Sequence, residues 1–363
     1  MLYNAPMPQP SELSIISLPA MQELVRDLGF PAFRAKQILD WRNKGMLDPL
    51  TMPNVPKDVR QAVADALGTP PLSLVKREYS RDGTRKYLFA LREGGHVETV
   101  MIPERKRITV CISSQVGCVL DCPFCFTGRQ KFEKNLTAAE IVAQVWMVTA
   151  DLLQQPVGHS IAERPTHLVY MGMGEPLANE AGLHGSLGFF LAEDGLHISR
   201  RRITVSTSGL LPQITRLGEV YPVNLAISLH AANNSKRDVL VPINKKYPLE
   251  ALRHVLDAYP LPEQRYITLE YVMLAGVNDQ DEDLQALVRF VRAKREFVNL
   301  IHFNPHPGSE YRATSQDAMD DFATRLIARG LRATVRRSRG DDIMAACGQL
   351  NAHMNPNGEH NNA

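Results

Sequence analysis

The chain has 363 residues, of which 44% are hydrophobic and 22% are charged, and its formal net charge at pH 7 is +2. This composition is typical of a globular protein with room for one large domain and a smaller one, and the near balance of charge gives no reason by itself to expect a nucleic-acid partner. No apolar run reaches 18 residues, and the N-terminal stretch MLYNAPMPQPSEL lacks a basic segment followed by an apolar one, so we expect a cytoplasmic protein without a membrane segment.

Residues 1–70 are predicted to form a small helical accessory domain. Between Ser17 and Leu67, apolar residues recur at three- and four-residue spacings, interrupted by Pro19, Pro31 and Pro53. This spacing indicates amphipathic helices that end near the prolines.

Residues 71–106 are predicted to form a linker and a β-hairpin. Strand patterns at 87–91 and 96–102 flank Gly94-Gly95, a turn signal. Glu98 lies inside the second strand, where the simplest interpretation is a carboxylate that faces water. A basic stretch precedes the hairpin and either contacts phosphates or is solvated: Lys76, Arg77, Arg81, Arg85 and Lys86.

From residue 107 to about 345, strand patterns alternate with helix patterns. The predicted strands are 108–112, 167–171, 203–205, 225–227, 267–274, 300–303 and 333–337. Such alternation predicts a mainly parallel sheet with right-handed crossovers, and the number of units favours an α/β fold with a partial (β/α)6 barrel. The unusual motifs follow the ends of these strands, where barrel enzymes carry their active sites.

Three of the five cysteines, Cys118, Cys122 and Cys125, lie in GCVLDCPFC. Such crowding argues for a metal site in a reducing compartment and against a disulfide framework. Thiolates bind zinc, copper(I) or iron–sulfur clusters, but a structural zinc site needs a fourth protein ligand, and no second Cys or His pair has suitable spacing. Three ligands to a cubane cluster would leave one iron open for a small molecule.

The same stretch, CISSQVGC…CPFCFTG followed by NLTAAEIVAQVW, resembles the RlmN/Cfr family of radical S-adenosylmethionine (SAM) RNA methyltransferases. Further matches to that family's pattern occur from about residue 29 to 350: GMGEP, STSG, SLHAAN, VPINKKYP and ACGQL. The resemblance implies a radical SAM barrel, with a [4Fe-4S] cluster on Cys118, Cys122 and Cys125. It also implies that SAM binds to Gly174, Glu175, Ser206, Ser228, Leu229, His230 and Asn304.

The resemblance further assigns roles to the two lone cysteines. Taken singly, Cys111 and Cys347 would be small buried hydrophobic residues. In the family, the residue matching Cys347 takes a methyl group from one SAM, and a second SAM yields a 5′-deoxyadenosyl radical that takes a hydrogen from this methyl group. The residue matching Cys111 then releases the product by disulfide formation, and the residue matching Glu98 is a proton acceptor.

The function implied is methylation of adenosine carbon 2 in 23S rRNA, and in tRNA next to the anticodon, by a monomer that uses an electron donor such as flavodoxin or ferredoxin. Two alternatives stay open: methylation of carbon 8 in 23S rRNA, as in the Cfr branch, and a non-catalytic iron–sulfur RNA-binding protein. Basic clusters that could contact RNA are Arg105–Arg107, Arg201-Arg202, Lys245-Lys246, Arg292 with Lys294-Arg295, and Arg336-Arg337 with Arg339.

Residues 346–363 are predicted to hold the catalytic Cys347 and then a disordered tail. Two residues depart from the family pattern beside the cluster, Phe126 and Lys131. Both could alter how SAM or the target base packs.

Overall fold

The computed structural model describes residues 16–158, 162–262 and 264–351, so the final dozen residues, which were predicted to be disordered, lie outside the described residues. Within these ranges the helices are α1 (Leu18–Asp27), α2 (Phe33–Asn43), α3 (Lys57–Leu67), α4 (Ala138–Gln154), α5 (Glu180–Leu191), α6 (Leu211–Val220), α7 (Asn234–Leu240), α8 (Leu249–Ala258), α9 (Asp281–Phe290) and α10 (Gln316–Ala328). The strands are β1 (Leu72–Tyr79), β2 (Arg85–Leu91), β3 (His96–Glu104), β4 (Arg107–Cys111), β5 (Gln115–Val116), β6 (Lys134–Asn135), β7 (His167–Tyr170), β8 (Ile203–Thr207), β9 (Asn224–Ser228), β10 (Ile267–Met273), β11 (Glu296–His302) and β12 (Ala333–Arg336).

Ten of the described strands form one sheet in the order β1-β2-β3-β4-β7-β8-β9-β10-β11-β12. The pairs from β1 to β4 are antiparallel, and every neighbouring pair from β4 to β12 is parallel. Helices α4 to α10 occupy the six crossovers between the parallel strands. Because β12 does not pair with β4, the parallel part is an open barrel, and the predicted partial (β/α)6 barrel with a hairpin extension is confirmed.

The hairpin extension has one strand more than the sequence predicted. β1 pairs with β2 from Leu72 to Tyr79, in the stretch expected to be a linker. Most basic residues of β1 and β2 pair with acidic residues of the same protein. Lys76 and Lys86 pair with Glu78, and Arg77 and Arg85 pair with Asp151. Arg85 and Lys86 neither contact phosphates nor form a solvated face, because both side chains are buried, and both alternatives are therefore wrong for these two residues.

A buried ion cluster joins this extension to α4. The Asp151 carboxylate accepts hydrogen bonds of 2.6 Å from Arg85 Nη1 and from Tyr87 Oη, and it also pairs with Arg77. Asp151 is itself buried. Two cations and a hydroxyl surround one carboxylate, which offsets the desolvation of its charge.

The start of α4 is encoded locally, in the stretch from Thr137 to Glu140. Thr137 Oγ1 accepts from the N–H of Glu140, and the Glu140 carboxylate accepts from the N–H of Thr137, which makes a capping box. Most side chains of α4 are buried, since one side of the helix packs on the sheet and another meets the N-terminal helices.

The N-terminal helices share one apolar core with the barrel. Asn43 at the end of α2 accepts from Trp146 Nε1 at 2.9 Å and donates to the Gly195 carbonyl at 2.9 Å. Next to it, Gly45 has a φ of +90°, and a Cβ there would lie 2.9 Å from the Ala150 nitrogen. Only glycine permits this close approach. The domain boundary expected at residue 70, between the N-terminal helices and the hairpin extension, stays a prediction.

Candidate active site

The three clustered cysteines lie on the loop that follows β5, and all three line one cavity at the carboxyl ends of the parallel strands. The loop begins at Gly117, whose φ is +70° and where a Cβ would lie only 2.2 Å from the Lys131 carbonyl oxygen. A side chain at this position would separate the two ends of the loop.

The chemistry of these thiols fits an iron–sulfur cluster. Burial raises the pKa of Cys118 to about 12 and moves the pKa of Cys122 and Cys125 above the ordinary value, so bound metal is needed to hold them as thiolates. No three His, Cys, Asp or Glu side chains among residues 16–158, 162–262 and 264–351 converge on a single ion. In a cubane cluster each thiolate binds a different iron, so the ligands stand further apart than around zinc.

Gly174 and Glu175 form a second wall of the same cavity. Gly174 has a φ of +96°, and a Cβ there would lie 2.5 Å from the Gln115 side chain. The buried Glu175 carboxylate accepts from the N–H groups of Ser208 at 2.8 Å and Leu177 at 3.1 Å. Burial raises the pKa of Glu175, and these N–H groups oppose that shift. A carboxylate oriented in this way can accept from an ammonium group of a ligand.

Ser206, Ser228 and His230 line the cavity from the ends of β8 and β9. His230 has a left-handed backbone with a φ of +54°, and its Nδ1 accepts from the N–H of Val272 at 3.0 Å. Burial lowers the pKa of His230 to about 3, so the ring is neutral and its Nε2 carries the proton. Leu229 is different, because its side chain is fully buried in the main apolar core and does not line the cavity.

Cys111 and Cys347 come together in a second, adjoining cavity, which Asn304 also lines. Cys347 lines both cavities, whereas Cys111 lines only the second. Asn304 holds the Cys347 segment, since its Nδ2 donates to the Cys347 carbonyl at 3.4 Å and its Oδ1 accepts from Ser338 Oγ at 2.6 Å. Burial raises the pKa of Cys111 to about 12.

Two charged residues of this site were not predicted. Arg336, expected on an RNA-contacting rim, instead lines both cavities. The proximity of Cys347 and of Glu270 raises the pKa of Arg336. Glu270 lines the first cavity, is buried, and accepts from Asn299 Nδ2 at 2.7 Å. The signal that could have found it is a single carboxylate in the otherwise apolar strand ITLEYVM.

Glu98 does not face water, which corrects the simplest interpretation of its place in β3. Its side chain is fully buried, lies 3.2 Å from Lys86 Nζ, and accepts from the N–H of Asn351 at 2.7 Å. It lines neither of the two cavities described above. Glu98 therefore contacts the segment that carries Cys347.

The two departures from the family pattern have different surroundings. Phe126 stacks on His306 with ring centroids 4.8 Å apart, and its N–H donates to the Gly348 carbonyl at 2.8 Å. It therefore helps to hold the segment after Cys347 against the cluster loop. Lys131 is exposed and lines neither cavity.

Residues 112–290 match the model of the Radical SAM superfamily. The crystal structure of a radical SAM methyltransferase from Sphaerobacter thermophilus superposes with a TM-score of 0.87 at 41% identity, covering 94% of this chain and 99% of that one. Fold and site thus define a radical SAM protein.

Curated relatives identify the family within the class of radical SAM proteins. A dual-specificity RNA methyltransferase RlmN from Anaeromyxobacter sp. (strain Fw109-5) is 45% identical over 98% of this chain and 94% of its own length. Another from Syntrophobacter fumaroxidans is 44% identical over 92% of this chain and 96% of its own. The chain belongs to the RlmN family of radical SAM methyltransferases, and the resemblance inferred from its motifs is confirmed. Membership of the superfamily implies a [4Fe-4S] cluster and SAM. Within the described ranges, no helix is long and apolar enough to cross a membrane.

Proposed function

We propose that this enzyme methylates carbon 2 of adenosine in 23S rRNA, and in tRNA next to the anticodon. The observation that carries the proposal is that Cys347 lines both the cavity of the three clustered cysteines and the cavity of Cys111. The Cys347 thiol can thus face SAM in the first cavity and the Cys111 thiol in the second.

The three clustered cysteines would hold the [4Fe-4S] cluster, and Glu175, Ser206, Ser228 and His230 would bind SAM. Gly174, which has no side chain, would let the main chain approach SAM closely. We assign Leu229 a main-chain role only, because its side chain is in the core. Asn304 orients the Cys347 segment through the Cys347 carbonyl, in addition to any contact with SAM.

The chemistry requires more than displacement at SAM, since carbon 2 of adenine is not nucleophilic. When bound, the cluster and a second SAM would supply the one-electron chemistry that activates a methyl group on Cys347. Cys347 tethers the methyl carbon and holds it against the base. The Cys111 thiolate would then free the product by forming an S–S bond with Cys347. The bond between the Cys347 sulfur and the transferred carbon breaks in this step, and that carbon keeps the electron pair and takes up a proton to become the methyl group of the product.

Glu98 has two roles in this proposal. It accepts a proton in the release of the product, and it holds the Cys347 segment through Asn351. Glu98 lines neither cavity. The segment that follows Cys347 would therefore have to move before the proton could reach Glu98.

The RNA substrate would lie over the edge of the barrel that carries the two cavities, with the target base out of its stack. Lys245-Lys246 follow β9 on that edge, next to Ile243, which packs against the same apolar cluster as Leu120 of the cluster loop. Arg105–Arg107, Arg201-Arg202 and Arg292–Arg295 precede or begin parallel strands. They lie at the opposite edge, so we exclude them from the RNA site.

The cytoplasmic location, the monomeric state and a flavodoxin- or ferredoxin-type electron donor stay predictions from the sequence. An anaerobic reaction with both RNAs, followed by mass spectrometry of the nucleosides, tests the function. We expect 2-methyladenosine from each RNA. Formation of 8-methyladenosine alone would favour the Cfr-type alternative, and release of no 5′-deoxyadenosine would favour a non-catalytic protein.

A further inference from the structure

Arg237, in α7, is a buried cation to which no role has been assigned. Its side chain has 0% exposed surface. Within the described residues, every hydrogen bond of its guanidinium goes to a neutral oxygen atom. Nε donates to Leu229 O at 3.1 Å, Nη1 to Asn244 Oδ1 at 2.8 Å, and Nη2 to Ser208 O at 2.7 Å and to Ser228 O at 3.2 Å.

A buried charge is costly unless an opposite charge balances it. The Nη2 of Arg237 binds the carbonyls of Ser208 and Ser228, and both of these residues line the first cavity together with Cys122. Burial lowers the pKa of Arg237 to about 10, and its interactions with Cys122 and then with Asp238 oppose this shift. Cys122 belongs to the same buried apolar cluster as Ala231 and Leu240, which precede and follow Arg237 in the chain. The cation therefore lies beside one of the three cluster cysteines.

We propose that Arg237 is a positioning residue with two tasks: it supplies the counter-charge to the thiolate-bound cluster at Cys122, and it clamps together the two strand-end loops that bind SAM. This inference rests on the proposed function, because it takes the cluster and SAM as the ligands of the first cavity.

The first task follows from electrostatics. A cluster bound by three thiolates becomes more negative when it is reduced, so a nearby positive charge stabilises the reduced form. Net charge and hydrogen bonding around an iron–sulfur cluster set its reduction potential. Arg237 thus raises the potential of the bound cluster.

The second task follows from the shape of the guanidinium. Its Nη2 reaches the carbonyls of Ser208, after β8, and of Ser228, at the end of β9. The SAM-binding candidates Ser206 and His230 lie within two residues of these carbonyls. A planar fork can hold two loops in one arrangement, whereas the ammonium of lysine is a compact point charge and cannot.

The test uses the anaerobically reconstituted full chain and four variants. Arg237→Met removes the charge and the clamp, Arg237→Lys keeps only the charge, and Asp238→Asn removes the second negative charge near Arg237. Arg216→Met is the matched control, because Arg216 pairs with Glu180 on the surface. The measurements are iron content, the midpoint potential of the bound cluster by dithionite titration followed by electron paramagnetic resonance, and SAM affinity by equilibrium dialysis.

We expect Arg237→Met to shift the potential to more negative values and Asp238→Asn to shift it to less negative values. Arg237→Lys should keep the wild-type potential and bind SAM roughly tenfold more weakly, as the loss of charged hydrogen bonds would cause. Arg216→Met should change none of the three quantities.

A wild-type potential in Arg237→Met at full iron content would contradict the counter-charge. If Arg237→Met binds no iron, the midpoint potential is measured in Asp238→Asn instead. An unchanged potential in Asp238→Asn would contradict the counter-charge equally. Wild-type SAM affinity in Arg237→Lys would contradict the clamp. These results are independent of the product, since a protein that makes no 2-methyladenosine but shows the expected shifts would contradict only the proposed function.

Discussion

The main-chain N–H of Asn351 donates a hydrogen bond of 2.7 Å to Oε2 of Glu98, although the two residues are 253 positions apart. This bond ties the segment that follows Cys347 to the first half of β3. Thr127 Oγ1 donates to the neighbouring Leu350 carbonyl at 2.8 Å. The Cys347 segment is therefore held from both the hairpin extension and the cluster loop.

Glu98 should give the protein a measurable pH dependence. Burial raises its pKa from 4.5 to about 7, against the opposing effects of Lys86 and of the Asn351 N–H. The folded state thus binds this proton more tightly than the unfolded chain. The resulting stability is fully present below pH 4.5 and is lost as the pH rises to about 7.

We expect this group alone to lower the free energy of unfolding by about 3 kcal/mol over that range, and Glu98→Gln should remove that part of the pH dependence. Urea unfolding of the cluster-free protein at several pH values measures it. Glu104→Gln, at the end of the same strand, is the control. Equal pH dependence in wild type and Glu98→Gln would refute the assignment.

Each of Cys118→Ala, Cys122→Ala and Cys125→Ala should prevent assembly of the [4Fe-4S] cluster, because two thiolates are too few ligands to hold it. Iron and sulfide analysis after anaerobic purification measures this. Cys111→Ala is the matched control and should keep the wild-type iron content. A ligand variant with full iron and a normal brown absorbance would show that its cysteine does not bind the cluster.

The two remaining cysteines should give different defects. Cys347→Ala should bind the cluster and SAM but form no bond to RNA, whereas Cys111→Ala should accumulate a protein–RNA adduct because the thiol that releases the product is missing. Denaturing gels before and after nuclease, with mass spectrometry of the peptide that contains Cys347, measure the adduct. If Cys111→Ala turns over normally and forms no adduct, Cys111 does not release the product and is only a buried strand residue.

Asp151→Ala should destabilise the protein by about 3–5 kcal/mol, since it leaves buried cations uncompensated. The side chains affected are Arg85, Arg77 and Tyr87. Chemical denaturation measures the change. Glu180→Ala removes the surface partner of Arg216 and should cost no more than about 1 kcal/mol. Equal effects of the two variants would mean that the Asp151 cluster does not stabilise the fold.

RNA affinity should fall steeply with salt concentration despite the small net charge, because local lysines and arginines displace counterions from phosphates. Replacing Lys245 and Lys246 by Gln should reduce the slope of log affinity against log salt by about one to two. Replacing Arg201 and Arg202 by Gln should leave it unchanged, since they lie at the opposite edge of the barrel. If instead only the replacement of Arg201 and Arg202 reduced the slope, the RNA would bind at the opposite edge of the barrel.

The sequence alone determined the barrel, the capped start of α4 and the loop of three cysteines. Each depends on residues that are near in the chain: alternating strand and helix periods, Thr137 with Glu140, and three thiols within eight residues. Local spacing is enough for such features, because backbone periodicity fixes which side chains share a face.

The tertiary structure alone decided where the charged residues act. Glu98 and Arg336 both look like surface charges in their own strands, but folding buries the first under Asn351 and directs the second to Cys347. Arg237 has no local signal at all, since the main-chain partners of its Nη2 lie at the ends of two different strands. A buried charge is stabilised by the partners it meets in space, and when those partners lie far away in the chain, only packing brings them together.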